Sequence, residues 1–419
     1  MKKVLSLILV AAVIATLCIA LVACGEEPAK DTSVSFAPVA KANIKLGLIT
    51  LHGEESTYDK NFIDAARAAT TAMGVGLIVK DGIAESDECY QAAADLVDQG
   101  CNIIFADSFG HEAYILKAAK EFPNVRFAHA TGTTAHTELQ GNFYNAFASI
   151  YEGRYLAGIA AGMKLNEMID AGQFTADQAK MGYVGAYTYA EVISGLTSFY
   201  LGAKSVCPTV TMDVKFTGSW YDVTKENEAA NALIEGGCKL ISQHADSMGA
   251  PNACKEANVP NITYNVSTKT ECPDTYIIGS KINWVPYFTY LINCTINGVT
   301  AVGFDWCGGI AEGAVELTEI NENVAAAGTQ AAIDAAKAAF AAGTLKVFDV
   351  STFTVTPENG TAAALSTYLA DVDTDPNFAG DTQVVVTENG KTFFNESGYR
   401  SAPYFDIKID GINFLNREY

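Results

Sequence analysis

The chain has 419 residues, 49% of them hydrophobic, with 27 Lys and Arg against 48 Asp and Glu and a formal net charge of −21. That length exceeds what one hydrophobic core usually supports, so two lobes are the default, and the apolar content excludes a disordered chain. The acidic balance excludes a surface built for nucleic acid or anionic lipid, either of which needs a basic stripe.

In chain order, Lys2-Lys3 precedes an apolar run from Val4 to Ala23, and Leu21-Val22-Ala23-Cys24 is followed by Gly25 and an acidic stretch. A basic start, an apolar core and small residues before a cut are the parts of a secretory signal. The order Leu-small-Ala-Cys resembles a lipobox, which implies a bacterial lipoprotein signal over residues 1–23 and lipidation of Cys24. The rival is an uncleaved anchor, since about twenty apolar residues can span a bilayer. Either way the rest of the chain is exported. Residues 24–43, polar and broken by Pro28 and Pro38, read as a tether.

Beyond Cys18 and Cys24 stand Cys89, Cys101, Cys207, Cys238, Cys254, Cys272, Cys294 and Cys307. An even set outside the cytoplasm permits disulfides of undetermined pairing. No C-x-x-C pair offers the usual zinc or redox spacing. Cys101 and Cys238 adjoin apolar strand-like runs and read as buried thiols, so the cysteines are taken as mostly structural.

A regular alternation begins at residue 44. Strand-like runs at 44–50, 76–79, 103–106 and 125–130 interleave with helical patterns at 61–73, 91–99, 113–121 and 150–164. A second series has strands at 181–185, 210–216, 240–243 and 262–264, with helices at 191–205, 225–235 and up to 257. Such alternation predicts an α/β fold of parallel sheets covered on both faces. Two series predict two doubly wound, Rossmann-like lobes, an N-terminal lobe over 44–165 and a C-terminal lobe over 166–300. A return segment with a surface helix follows over 301–343. Residues 344–419, with strand patterns at 353–355 and 384–386 and an aromatic-rich end, form an extension of unassigned role that packs on a lobe or lies along the hinge.

Ligands of open parallel sheets gather beyond the carboxyl ends of the strands. The loops there concentrate aromatic rings (Tyr58, Phe109, Tyr187, Trp220, Tyr221, Trp284) beside polar groups (Asp59, Asp107, His244, Asp246, Asn265, Asn283). Flat apolar faces with a few orienting polar groups suit a planar, hydrogen-bonding small molecule such as a nucleobase, a nucleoside or a sugar. These twelve residues are the candidate ligand-binding set.

The helix Ala148-Ser149-Ile150-Tyr151-Glu152-Gly153-Arg154-Tyr155-Leu156-Ala157-Gly158-Ile159-Ala160-Ala161-Gly162 resembles a signature of the basic membrane protein family. Ser219-Trp220-Tyr221-Asp222, Ile241-Ser242-Gln243-His244-Ala245-Asp246-Ser247, Asn283-Trp284 and Trp306 with Gly308-Gly309 follow in the family's order. Those proteins are substrate-binding lipoproteins of ABC importers, many of them for purines or nucleosides. The resemblance covers about residues 44–317. It implies the type I periplasmic-binding-protein fold, two lobes closing about a hinge, with an ABC permease and a membrane as partners. It also makes Tyr58 and Phe109 the faces that sandwich a planar ring. Asn265 stands where many nucleoside binders have an aspartate. An amide both donates and accepts, which favours a base over a nucleoside.

Catalysis is the weaker reading. The chain lacks the G-x-S-x-G elbow, the phosphate-cradling G-x-x-x-x-G-K-[ST] loop and H-E-x-x-H. No metal or cofactor motif is present. A surface adhesin or sensor lipoprotein is the alternative of another class.

Overall fold

The computed structural model describes residues 34–301, 303–372 and 379–417. The signal over residues 1–23 and Cys24 therefore lie outside the described residues. Among the described residues no helix is long and apolar enough to cross a membrane.

The first series runs β1 (Lys45–Ile49), α1 (Thr57–Met73), β2 (Gly76–Lys80), α2 (Asp87–Asp98), β3 (Ile103–Ala106), α3 (Glu112–Glu121), β4 (Arg126–Ala130) and β5 (Phe143–Ala148). The second runs α4 (Ile150–Asp170), β6 (Lys180–Gly185), α5 (Ala190–Val206), β7 (Thr211–Phe216), α6 (Val223–Glu235), β8 (Leu240–Gln243), α7 (Gly249–Ala257), β9 (Asn261–Tyr264) and β10 (Tyr276–Ile282). There follow α8 (Val285–Asn297), β11 (Asp305–Gly308), β12 (Val315–Leu317) and α9 (Thr329–Ala341). The local causes are ordinary ones. Ser56 caps α1 by accepting from the Asp59 amide, and Gly74 ends it at φ 63°. Asp222 caps α6 by accepting from the Thr224 and Lys225 amides.

The strands form a parallel six-stranded sheet, order β11-β5-β4-β3-β1-β2. A seven-stranded sheet has order β12-β10-β9-β8-β6-β7-β17, where β17 is Ile412–Phe414 and β12 alone is antiparallel. β3 and β8 are buried along their length, as strands of a sheet covered on both faces are, β3 as a continuous apolar run and β8 with Ser242 and Gln243 buried beside Leu240 and Ile241.

The lobe boundaries expected at 165 and 300 shift. Helix α4 lies against α5 in the second lobe, because glycines let the two backbones touch. A Cβ on Gly158 would stand 2.1 Å from the Phe199 carbonyl, and one on Gly202 2.0 Å from the Tyr155 carbonyl. Helix α8 returns to the first lobe, where Trp284, Phe288, Leu291 and Ile292 join Phe62 and Phe105 in one buried cluster. Strand β11 then pairs with β5, so the first lobe also claims residues 305–308. The chain thus crosses between lobes near Ser149, at Asn283–Trp284 and across 309–314.

The extension beyond residue 343 adds β13 (Leu369–Ala370) paired with β14 (Thr382–Gln383), the hairpin β15 (Val385–Glu388) with β16 (Lys391–Phe394), and β17. Its Phe348, Phe353, Phe394, Tyr404 and Phe405 are buried in the second lobe's core. The strand expected at 353–355 does not form: Phe353 is anchored as a ring edge-on to Phe405, not by a ladder. Helix α9 is partly exposed, yet buries Ile333 and Thr329. Among the described residues none of the eight cysteines from Cys89 to Cys307 is in a disulfide, and seven of them are buried.

Candidate functional site

Each lobe has the strand order 2-1-3-4-5, counting β1–β5 or β6–β10. In such sheets the chain winds in opposite directions from the first strand, leaving a crevice between the carboxyl ends of strands 1 and 3. Here those positions are β1 and β3 in one lobe, β6 and β8 in the other. The two crevices face each other, and a cavity of about 220 Å³ lies between them.

Its first-lobe lining is Leu51, His52, Tyr58 and Asp59 after β1, Ser108 and Phe109 after β3, and Thr131 and Thr133 after β4. The second lobe supplies Tyr189, Ala190 and Glu191 after β6, Trp220 after β7, and His244 and Asp246 after β8. The lobes touch across it. The Thr57 amide donates to the Asp246 carbonyl at 2.9 Å, and the Phe109 and Tyr189 rings are 5.4 Å apart.

The cavity is an acidic, orienting environment. Burial works to raise Asp59, but its hydrogen bonds from the His52 side chain and amide and from Ser56 outweigh that and hold its carboxyl below the usual value. His52 is raised in turn, chiefly by that same bond to Asp59. Asp246 is the opposite case. Full burial, with Asp59, Glu226 and Glu191 nearby, pushes its carboxyl well above the usual range, and its Oδ1 has no hydrogen-bond partner. Behind it, α4 sends in Arg154, which donates to the Gln243 carbonyl at 2.9 Å and to His244 Nδ1 at 3.2 Å. Nε2 of His244 then donates to Glu191 at 2.9 Å, so the partners assign a neutral imidazole with its proton on Nε2. Burial lowers its pKa in agreement. The relay Arg154–His244–Glu191 fixes a carboxylate at the cavity wall.

Six of the twelve expected residues line the cavity: Tyr58, Asp59, Phe109, Trp220, His244 and Asp246. The others stand behind it. Tyr187 stacks on Tyr189 at 5.2 Å and meets Trp220 edge-on. Tyr221 lies 5.4 Å from the His52 ring. Asp107 is fully buried beneath Tyr58, whose hydroxyl donates to its carbonyl at 2.9 Å. Asn265, at φ 63°, accepts from Asn61 with its side-chain oxygen, while its Nδ2 lacks a partner. Asn283 and Trp284 do not form part of the lining. Asn283 accepts from the Val285 amide and so begins α8. Trp284 stacks on Phe62 at 4.5 Å in the first lobe's core, a packing role that its place at a strand end did not reveal. The partner of Phe109 is Tyr189, not Tyr58, which instead turns edge-on to Phe62.

The expected set did not include Leu51, His52, Ser108, Thr131, Thr133, Tyr189, Ala190, Glu191, Arg400, Ala402 or Pro403, which also line the cavity. Tyr189 and Glu191 follow a strand end directly and were within reach of the loop argument; the last three sit in the extension, where no periodicity pointed. Among the described residues no group of three or more His, Cys, Asp and Glu is placed to hold a metal ion.

Comparison with known proteins places this geometry. A purine-binding protein of Brucella abortus is 31% identical over 237 residues, 57% of this chain and 63% of that relative. A putative ABC transporter glucose-binding protein, TsgA13 of Haloferax volcanii, is 32% identical over 223 residues, 53% of each chain. A nucleoside-binding protein, BmpA of Lactococcus lactis, is 25% identical over 267 residues, 62% of this chain and 68% of its own. The chain thus spans less than two thirds of the length of the first two relatives. In fold, it matches an ABC solute-binding protein from Aeropyrum pernix with TM-score 0.62 at 17% identity, covering 75% of this chain and 94% of the other. One from Conexibacter woesei matches with TM-score 0.58 at 22% identity, covering 72% and 98%. The family model described as ABC transporter substrate-binding protein, PnrA-like, matches residues 52–343. That match covers more than half of the chain, so the chain belongs to the PnrA-like family of ABC transporter substrate-binding proteins.

Proposed function

We propose that this protein is an extracytoplasmic solute receptor that captures a small planar polar molecule, a purine base or nucleoside, and delivers it to an ABC permease. The observation that carries this reading is the cavity itself. Aromatic rings from both lobes, Phe109 against Tyr189 with Trp220 alongside, flank a buried Asp246 carboxyl that has an unpartnered oxygen. Flat faces bind a heterocycle, and an unpartnered carboxyl oxygen asks for a polar ring or exocyclic group to hydrogen-bond with. The relatives named for purine and nucleoside binding support the same class.

The mechanism is lobe closure. A ligand that contacts both crevices favours the closed arrangement by its differential affinity for it, and binding needs no bond broken. Asp59, Phe109 and Tyr58 hold the ligand from the first lobe; Trp220, His244 and Asp246 read it from the second. Arg154 acts through His244 and Glu191 and does not itself touch the ligand. The Leu21–Cys24 motif supports lipid anchoring at the outer face of the cell membrane, which keeps the receptor beside its permease.

A sugar is the second reading, favoured by the glucose-binding relative and by carboxylates able to accept from hydroxyls. Thermal-shift and calorimetric titration with adenine, hypoxanthine, adenosine, inosine and glucose distinguishes these. Stabilisation by a purine without chemical change supports the proposal. A response to glucose alone selects the sugar, and no response from any overturns solute capture in favour of an adhesin or sensor.

A further inference from the structure

The matched family region ends at residue 343, yet the cavity does not end with it. Arg400, Ala402 and Pro403, from the extension, line it together with the two lobes. We infer that residues 400–403 are a third wall of the ligand cavity, and that Ala402 and Arg400 select among the members of the ligand class.

This inference rests on the reading of the cleft as a ligand site. The wall is built, not draped. The Ser401 amide and hydroxyl both donate to Asp305 Oδ1 on β11, at 2.8 and 2.6 Å, which ties the segment to the first lobe. Tyr404 and Phe405 tie it to the second: both are buried in the core cluster that holds that lobe's Leu196, Phe199 and Val214. Arg400 holds the turn between these ties, donating to the Ala402 carbonyl at 3.2 Å and the Asp371 carbonyl at 3.3 Å. A segment fixed at both ends has little room to withdraw, so its side chains set a boundary.

The chemistry of that boundary differs from the rest. Elsewhere the cavity presents the carboxyl groups of Asp59, Glu191 and Asp246, and among the described residues its lining contains no lysine and no arginine other than Arg400. A guanidinium has five donors and no acceptor. Three walls together then ask for a ligand with N–H or O–H groups towards the carboxyls and an oxygen or ring-nitrogen acceptor towards Arg400. Ala402 is only 4% exposed, so any longer side chain there must occupy either protein or cavity.

The test compares the parent chain with Ala402→Leu, Arg400→Met and Phe109→Ala by calorimetry, using adenine, hypoxanthine, adenosine and inosine. Ala402→Leu is expected to weaken the nucleosides at least tenfold while changing the smaller bases less than threefold. Arg400→Met is expected to weaken every binder at least fivefold. If Ala402→Leu fails to fold, Ala402→Val is read in the same way. Unchanged dissociation constants in the Ala402 and Arg400 variants, alongside a clear loss in Phe109→Ala, overturn the third wall and leave the cleft assignment standing. No binding of any probe by the parent chain overturns both together.

Discussion

Replacing Phe109 by alanine isolates the contribution of a ring that the fold does not need. The side chain is 43% exposed and sits in a short turn after β3, with Tyr189 as its ring neighbour. Truncation should therefore cost the fold little, within about 0.5 kcal/mol for a surface position. Binding is another matter. A planar ligand laid on one face covers roughly 50 Å² of a ring that can bury 150–250 Å² in all. At about 25 cal/mol/Å² that is about 1.2 kcal/mol. Favourable aromatic geometry adds about 1 kcal/mol, and about 2 kcal/mol together is a loss of roughly thirtyfold in affinity. Calorimetry on the Gly25–Tyr419 form, with melting temperature measured in parallel, reads both quantities. A dissociation constant within twofold of the parent, for every ligand the parent binds, refutes the placement of Phe109 against the ligand.

Asp246→Asn should weaken binding of an N–H-bearing ligand by roughly tenfold or more without lowering the melting temperature, because the buried carboxyl is costly to ionise; a fall in melting temperature with unchanged affinity contradicts this. Trp284→Ala should destabilise by about 3–5 kcal/mol in urea melts, while the folded fraction keeps its affinity; lost affinity in a stable variant returns Trp284 to the site. Glu396, fully buried, is pushed up by that burial to about 8. Its folded-state pKa lies above its unfolded one, so the native state binds the extra proton and this group's contribution falls as pH rises from about 4.5 through 8. Relative to the parent, Glu396→Gln should gain stability steadily across that window, by a few kcal/mol at its upper end; a pH-independent difference between the two melting curves refutes the assignment.

Much of the fold was legible because short runs centred on apolar residues alternate with helical patterns. Residues 103–106 and 240–243 were read as strands with the bounds that β3 and β8 have, the first an unbroken apolar run and the second one that opens on Leu240-Ile241 and buries Ser242 and Gln243 as well. The lobe boundary was not legible, because α4 is apolar nearly all round and sequence proximity assigns it to the preceding lobe. What moves it is the fit of Gly158 to the Phe199 carbonyl, a contact between residues forty-one apart. Trp284 shows the same limit: its position at a strand exit was read correctly, but the direction of its ring is set by Phe62 and Phe105. Arg400 lay beyond sequence reasoning altogether, since only the tertiary tie of Ser401 to Asp305 brings it to the cleft.

The uncrosslinked cysteines carry a consequence for how this chain reaches its folded state. Burial pushes Cys101 and Cys307 up to about 11 and Cys238 to about 12. At neutral pH the thiolate, the form that reacts, is then roughly one part in ten thousand or less of each. Closing the cores around them therefore withdraws these three thiols from disulfide exchange, and packing, not a cross-link, holds this part of the fold together.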